Sequence, residues 1–491
     1  MSEAAAAPDP PSPPLVVDRL ADFSDKLSPM LVKELRQGLR AKTFVIVFLT
    51  LQGLLLLVLL SAVAASSQPQ RAGGAISGII FMFFSMALLV IQPIRGIGTL
   101  HREVLGKTIE LMVLTRLSAW KIVLGKWVSI VSQSALIFAA IIPYLILRYW
   151  FGDMNLFGEL SLMILVFLGS AVLTAVIVGI SCVPSVILRG LVPLLAGGLG
   201  LFAIPTLCFG REFDELVSIA SMQTAQDFWG VSISVLCAIY IGWTALGIGA
   251  GMIAPAAENH ATLKRSITLV LLLLLLPVGA FSSVNPEALA ALVAVILVPS
   301  IVLALSEPFM LLPPICTPFV RRGLPGRLAG RLLYPGWPSG VLFTVTAVAL
   351  ATGVILLSLD HRSIDDEMVV VLLGLLGSLL MPAALASLFE KKVKSRFTTF
   401  MLIFAAGSVV AFVLGFITDA VDSGARGFMW LFVWLPQALI AMVAFPRDFD
   451  DETLMFAGAG IALVYLLLLL VVALRRFREM PGIESEALDL K

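Results

Sequence analysis

The feature that most constrains this chain is a succession of thirteen apolar runs, each almost free of charge, along 491 residues. They lie near 43–65, 73–94, 127–147, 161–188, 190–209, 229–255, 266–284, 288–306, 339–359, 368–388, 398–418, 428–445 and 454–474. Each approaches the ~20 residues that an α-helix needs to cross a ~30 Å hydrocarbon core. In that medium an unpaired backbone amide is costly, so the chain must close its hydrogen bonds within helices. Hydrophobic residues make up 59% of the chain and charged ones 13%, about half the charge of a soluble domain. The expected fold is therefore an all-α polytopic membrane protein.

Charge sorts the connections. Arg95, Arg102, Lys107, Arg116, Lys121 and Lys126 oppose Glu103 and Glu110 in the second connection, which places it in the cytoplasm by the positive-inside rule. Arg321, Arg322, Arg327 and Arg331, and then Lys391, Lys392, Lys394 and Arg396, mark two more cytoplasmic loops. Gly210–Phe228 and Asp360–Glu367 are acidic and read as external. Thirteen crossings would put Arg475, Arg476 and Arg478 outside. The segment 428–445, broken by Pro436–Gln437 and flanked by acids, is expected to re-enter from the outer face without crossing. About twelve crossings follow, with both termini inside; thirteen is the alternative.

Two stretches read as interfacial amphipathic helices on the cytoplasmic side. In the first, Leu31, Val32, Leu35 and Leu39 share a face beside Lys33, Arg36 and Arg40. Those cations either hold anionic lipid head groups or fix the N-terminus inside. In the second, Glu103, Lys107 and Glu110 fall opposite Leu105, Ile109 and Met112 at ~100° per residue. Residues 1–27, rich in Pro and Ala, are expected to be a disordered cytoplasmic tail. No cleavable signal peptide is expected in residues 1–42, which hold no hydrophobic core. The clusters Gly197, Gly198, Gly200 and Gly247, Gly249, Gly251 are expected to let helices pack closely in lipid.

The run GKTIELMVLTRLSAWKIVLGK resembles the signature of the type-2 ATP-binding-cassette (ABC) transporter permease family. Glu103, Thr108, Ile109, Glu110, Leu111, Thr115, Leu117 and Ser118 match or conservatively replace the family pattern, and Ile122 to Lys126 match outright. Lys107 stands where the family has Gly, and Arg116 where it has Pro. SPMLVKELRQGLR resembles the start of many such permeases. The resemblance covers residues 28–255, a six-span unit; residues 256–491 read as an accessory membrane half, since they carry no second copy of the signature.

The resemblance implies a coupling helix within 95–126 that contacts a separate ATPase subunit, with ATP and Mg on that partner. Its residues would be Glu103, Lys107, Thr108, Glu110, Thr115, Ser118, Gly125 and Lys126. Lys33, Arg36 and Arg40 would lie at the inner leaflet. It also implies a second permease unit, homo- or heterodimeric, export as the direction, and a cell inner (cytoplasmic) membrane location with the N-terminus cytoplasmic.

The chain carries no P-loop of its own. Gly106-Lys107-Thr108 would need Gly at the position of His101. The protein is thus not expected to be an enzyme. No cofactor, metal or catalytic set is expected, and a net charge of +1 gives no nucleic-acid surface. The apolar runs contain no Asp, Glu, Lys or Arg expected to be buried, which disfavours an ion-coupled secondary transporter. A non-transporting membrane scaffold or assembly protein is the alternative to the permease.

Overall fold

The computed structural model describes residues 29–65, 69–106, 118–149, 155–209, 211–255, 258–281, 284–359, 364–389, 395–420, 423–444 and 449–489. These residues contain helices and no strand, and twelve helical stretches are long and apolar enough to cross a membrane. The chain is an all-α, multi-pass membrane protein.

Helix α1 (Pro29–Leu39) precedes the first span, α2 (Lys42–Ala65). The second span begins as α3 (Pro69–Ser85), loosens into a π-helical turn at Met86–Ile91, and passes Pro93 before α4 (Thr99–Leu105). Proline has no N–H to donate, and a wide turn just before it exposes carbonyls that need other partners. Ser170 supplies one, its hydroxyl donating to the Leu88 carbonyl at 2.6 Å. Gly98, at φ +66°, turns the chain into α4 through the left-handed region that favours glycine.

The first half continues with α5 (Ala119–Tyr149), α6 (Leu156–Ile180), α7 (Val186–Leu207), the short amphipathic α8 (Arg211–Ala220) and α9 (Ala225–Ile253). The second holds α10 (Ala261–Phe281), α11 (Pro286–Ser306), α12 (Pro313–Val320), α13 (Gly323–Leu333), α14 (Trp337–Ser358), α15 (Asp366–Leu388) and α16 (Arg396–Ala420). A 3₁₀ segment, Ser423–Phe432, then leads to α17 (Pro436–Ala444), α18 (Asp451–Phe477) and α19 (Met480–Asp489).

The stretch 428–445 is thus split between a 3₁₀ segment and a nine-residue helix. At 1.5 Å per residue α17 reaches about 14 Å, half of the hydrocarbon thickness. It cannot cross. It packs on α15, with Ala438, Leu439 and Met442 fully buried. The acidic connection at 210–228 and the loop marked by Arg321 to Arg331 are also partly helical: α8 occupies the first, and α12 and α13 the second.

With twelve crossings, α1, α4, α12, α13 and α19 gather at one end of the bundle, the end carrying most of the cations. In lipid, apolar side chains gain little by leaving the solvent, so helices hold together by close packing and interhelical hydrogen bonds. Phe81, Phe84, Phe138, Phe167 and Phe213 pack in one chain of ring contacts in the first half, Phe81 and Phe213 at 5.2 Å between centroids. Gly179 and Gly249 bring α6 and α9 into backbone contact. A methyl on Gly179 would stand 2.1 Å from the Ala245 carbonyl. The glycine clusters divide by role: Gly249 meets Gly179, while Gly198 and Gly251 have open space around them. The two halves share a core in which Val183 and Leu188 pack with Ile301, Leu305, Trp337 and Leu380.

Buried charges appear at span ends. Runs counted by apolar residues stop short of Arg148, Glu159, Lys264 and Arg265, but the helices continue through them. Arg148 (1% exposed), Glu159 (3%) and Arg265 (3%) are enclosed. The expectation that the spans hold no buried charge is corrected accordingly.

Candidate functional site

The third span opens at the basic end with Ser118, whose carbonyl accepts from Lys121 and Ile122. About two turns after Ser118, Lys126 turns inward. Its ammonium lies 2.6 Å from Glu103 Oε1 at the end of the second span and 3.3 Å from Glu34 Oε1 on α1. All three side chains are largely withdrawn from solvent (8%, 17% and 15% exposed, respectively). One cation held between two carboxylates joins three helices through a single side chain.

Neighbouring contacts fix the helices that carry these groups. Ser129 donates to the Glu34 carbonyl at 3.0 Å, and Gln133 donates to the Ser129 carbonyl at 3.1 Å. Gly38 gives α1 room over this spot, since a methyl there would meet the Gln133 amide at 2.3 Å. Below, Leu100 of α4 is fully buried among Ala119, Ile122, Val123 and Val178, and its N–H donates to Ser181 at 3.4 Å. Trp127 pins α5 to α6 by donating to the Ala171 carbonyl at 2.8 Å. Helix α1, the exit of the second span and the entry of the third are therefore joined as one unit.

Among the residues singled out in sequence, Glu103, Lys126 and Lys33 converge here, while Ser118 begins the third span about two turns earlier. Glu103 faces Lys126 rather than presenting an open acidic face. Gly125 is buried, yet nothing lies within 4 Å of where a side chain would begin. Arg36 and Arg40 are exposed on α1. Lys107, Thr108, Glu110 and Thr115 lie outside the described residues. Glu34 escaped sequence reasoning, although its signal was present: it is the single acid of a basic helix.

Two further polar clusters lie elsewhere. At the opposite end, Arg148 Nε donates to Ser77 Oγ at 2.8 Å, and Ser77 reaches both oxygens of Glu159 at 3.0–3.1 Å. At the basic end of the second half, Arg265 donates to Glu307 (2.6 Å) and to the carbonyls of Tyr334 (2.6 Å) and Gly336 (3.1 Å). Glu307 also accepts from the Gly336 N–H at 3.1 Å, where φ of +107° requires glycine. Both clusters connect separate helices.

No family model matches the chain, and neither does any curated protein or solved structure.

Proposed function

We propose that this protein is the membrane-spanning permease subunit of an ABC transporter, working as an exporter with a separate ATP-binding subunit. The observation that carries this reading is the junction at Lys126. A segment between the second and third spans can move a bundle only if it is rigidly attached, and Glu103 and Lys126 attach it at both ends. The bond to Glu34 extends the same unit to α1. Force delivered to 107–117 would pass to three helices together, and the six-span halves would rock as bodies. ATP and Mg would stay on the partner, and the 95–126 segment would face the cytoplasm.

The test is a mild-detergent pull-down of the tagged full chain, with mass spectrometry and an ATPase assay. A stoichiometric ATP-binding subunit whose activity changes with Glu110→Ala is the expected result. Recovery of the chain alone, from cells expressing candidate ATPases, would overturn it in favour of a membrane scaffold.

A further inference from the structure

Beside the Lys126 junction, α1 and the ends of the second and third spans leave an open cleft of about 480 Å³. Most of the residues that line it are polar, and their charges are uneven. Among the described residues, Lys33, Arg95, Arg102 and Lys126 line it, with Glu34 and Glu103 as counter-charges. Both carboxylates are bound to Lys126. Lys33, Arg95 and Arg102 therefore line the cleft with no carboxylate partner among the described residues. Arg95 is held in place by donating to Gln92 Oε1 at 2.7 Å, and its guanidinium carbon lies 5.6 Å from the centre of the Phe44 ring. The Arg102 side chain donates to the Gly98 carbonyl at 3.4 Å.

A second observation points to a ligand. Gln133 lines the cleft and is 1% exposed, and its side-chain oxygen has no hydrogen-bond partner among the described residues. A buried amide oxygen without a donor is destabilising until something supplies one. The cleft thus offers cationic donors for a phosphate and an acceptor for a hydroxyl.

Its position decides the source of that phosphate. Ala41 forms part of the wall, and the first span continues from it with Val45, Ile46 and Leu49 exposed (42%, 63% and 62%). A head group in the cleft would leave its acyl chains along this apolar face. Free phosphate has no use for such a surface.

We infer that this cleft is a binding site for the head group of an anionic, hydroxyl-bearing phospholipid of the leaflet at the basic end. Arg95, Arg102 and Lys33 take the phosphate, and Gln133 accepts from a head-group hydroxyl. The inference stands independently of the transporter reading, since it needs neither ATP nor a partner chain.

The experiment is native mass spectrometry of the full-length chain in non-ionic detergent, titrated with phosphatidylglycerol and, separately, phosphatidylcholine. Each cation that touches the bound head group contributes about a fivefold gain in anionic-lipid binding. The wild-type chain should retain phosphatidylglycerol at least about tenfold better than phosphatidylcholine. Arg95→Gln with Arg102→Gln should weaken retention about 25-fold. Arg321→Gln with Arg322→Gln, cations of the second half, should change it less than about twofold. Lys33→Gln alters an exposed side chain that holds no helix in place, so its expected fivefold loss tests the site even if the double variant misfolds. Equal retention of the two lipids, or unchanged retention in Lys33→Gln, would overturn the assignment. Displacement of phosphatidylglycerol by equimolar inorganic phosphate would overturn the lipid as the source.

Discussion

Arg148 Nε donates to Ser77 Oγ across 2.8 Å, joining the far end of the third span to the start of the second. Ser77 in turn donates a hydrogen bond to Glu159, so one hydroxyl links a cation and a carboxylate that are both out of solvent. Arg148→Met would strand Glu159 and should destabilise the fold by about 3–5 kcal/mol. Arg148→Met with Glu159→Met should recover most of that loss. Thermal unfolding of the two variants in the same detergent is the measurement.

Lys126→Met should act in the same way at the other end, because it removes the ammonium that holds Glu34 and Glu103 together. Helix α1, which depends on Glu34 and Ser129 for its attachment to α5, should loosen first. Amide hydrogen exchange over 29–39 should rise at least about tenfold, corresponding to the loss of about 1.4 kcal/mol of local protection.

Gly179→Ala places a methyl within 2.1 Å of the Ala245 carbonyl, and backbone cannot yield as a side-chain tip can. A loss of about 1–3 kcal/mol is expected. Gly251→Ala, with nothing within 4 Å, should be neutral or slightly stabilising, since alanine is the better helix former. Parallel melting curves would separate close packing from glycine content.

Cys316 in α12 is fully buried, and burial pushes its thiol up to about 11. The thiol should resist N-ethylmaleimide at pH 8 until the protein unfolds, as peptide mass spectrometry would show. A group whose folded pKa is raised contributes stability that is present below its ordinary value of 9.0 and lost as pH rises towards about 11. Unfolding should therefore become easier between those limits, and Cys316→Ala should flatten that dependence.

The short α17 predicts the side on which α18 begins. Asp450 caps α18, accepting from the Thr453 N–H at 3.2 Å and from its hydroxyl at 2.6 Å. If the 423–444 segment re-enters without crossing, a cysteine placed at the neighbouring exposed Glu452 reacts with an impermeant thiol reagent in intact cells. Protection until the cells are permeabilised would mean a thirteenth crossing.

What the sequence conveyed was the apolar architecture, because twenty uncharged residues in a row have few other ways to satisfy their backbone. The break at Pro436–Gln437 was legible for the same reason: proline interrupts the hydrogen-bond ladder, and nine residues cannot span. The charged junctions were harder to see. Arg148 and Glu159 end apolar runs, where a charge usually means solvent, and only the packing of three spans reveals that they are enclosed. Glu34 and Lys126 lie far apart in the chain, and no local pattern states that they meet. Gly251 shows the converse limit, for its spacing resembles that of Gly249 while only Gly249 touches another helix.

The 92-residue separation between Glu34 and Lys126 also sets an order of events during synthesis. At about 5–20 residues per second, Glu34 emerges some 5–20 s before the cation that will neutralise it. Through that interval α1 has no buried charge to hold, and it must wait in water or among lipid head groups while the first two spans insert. Its docking is therefore the moment at which the third span reports its arrival, and a ribosome stalled before residue 126 would leave α1 open to protease.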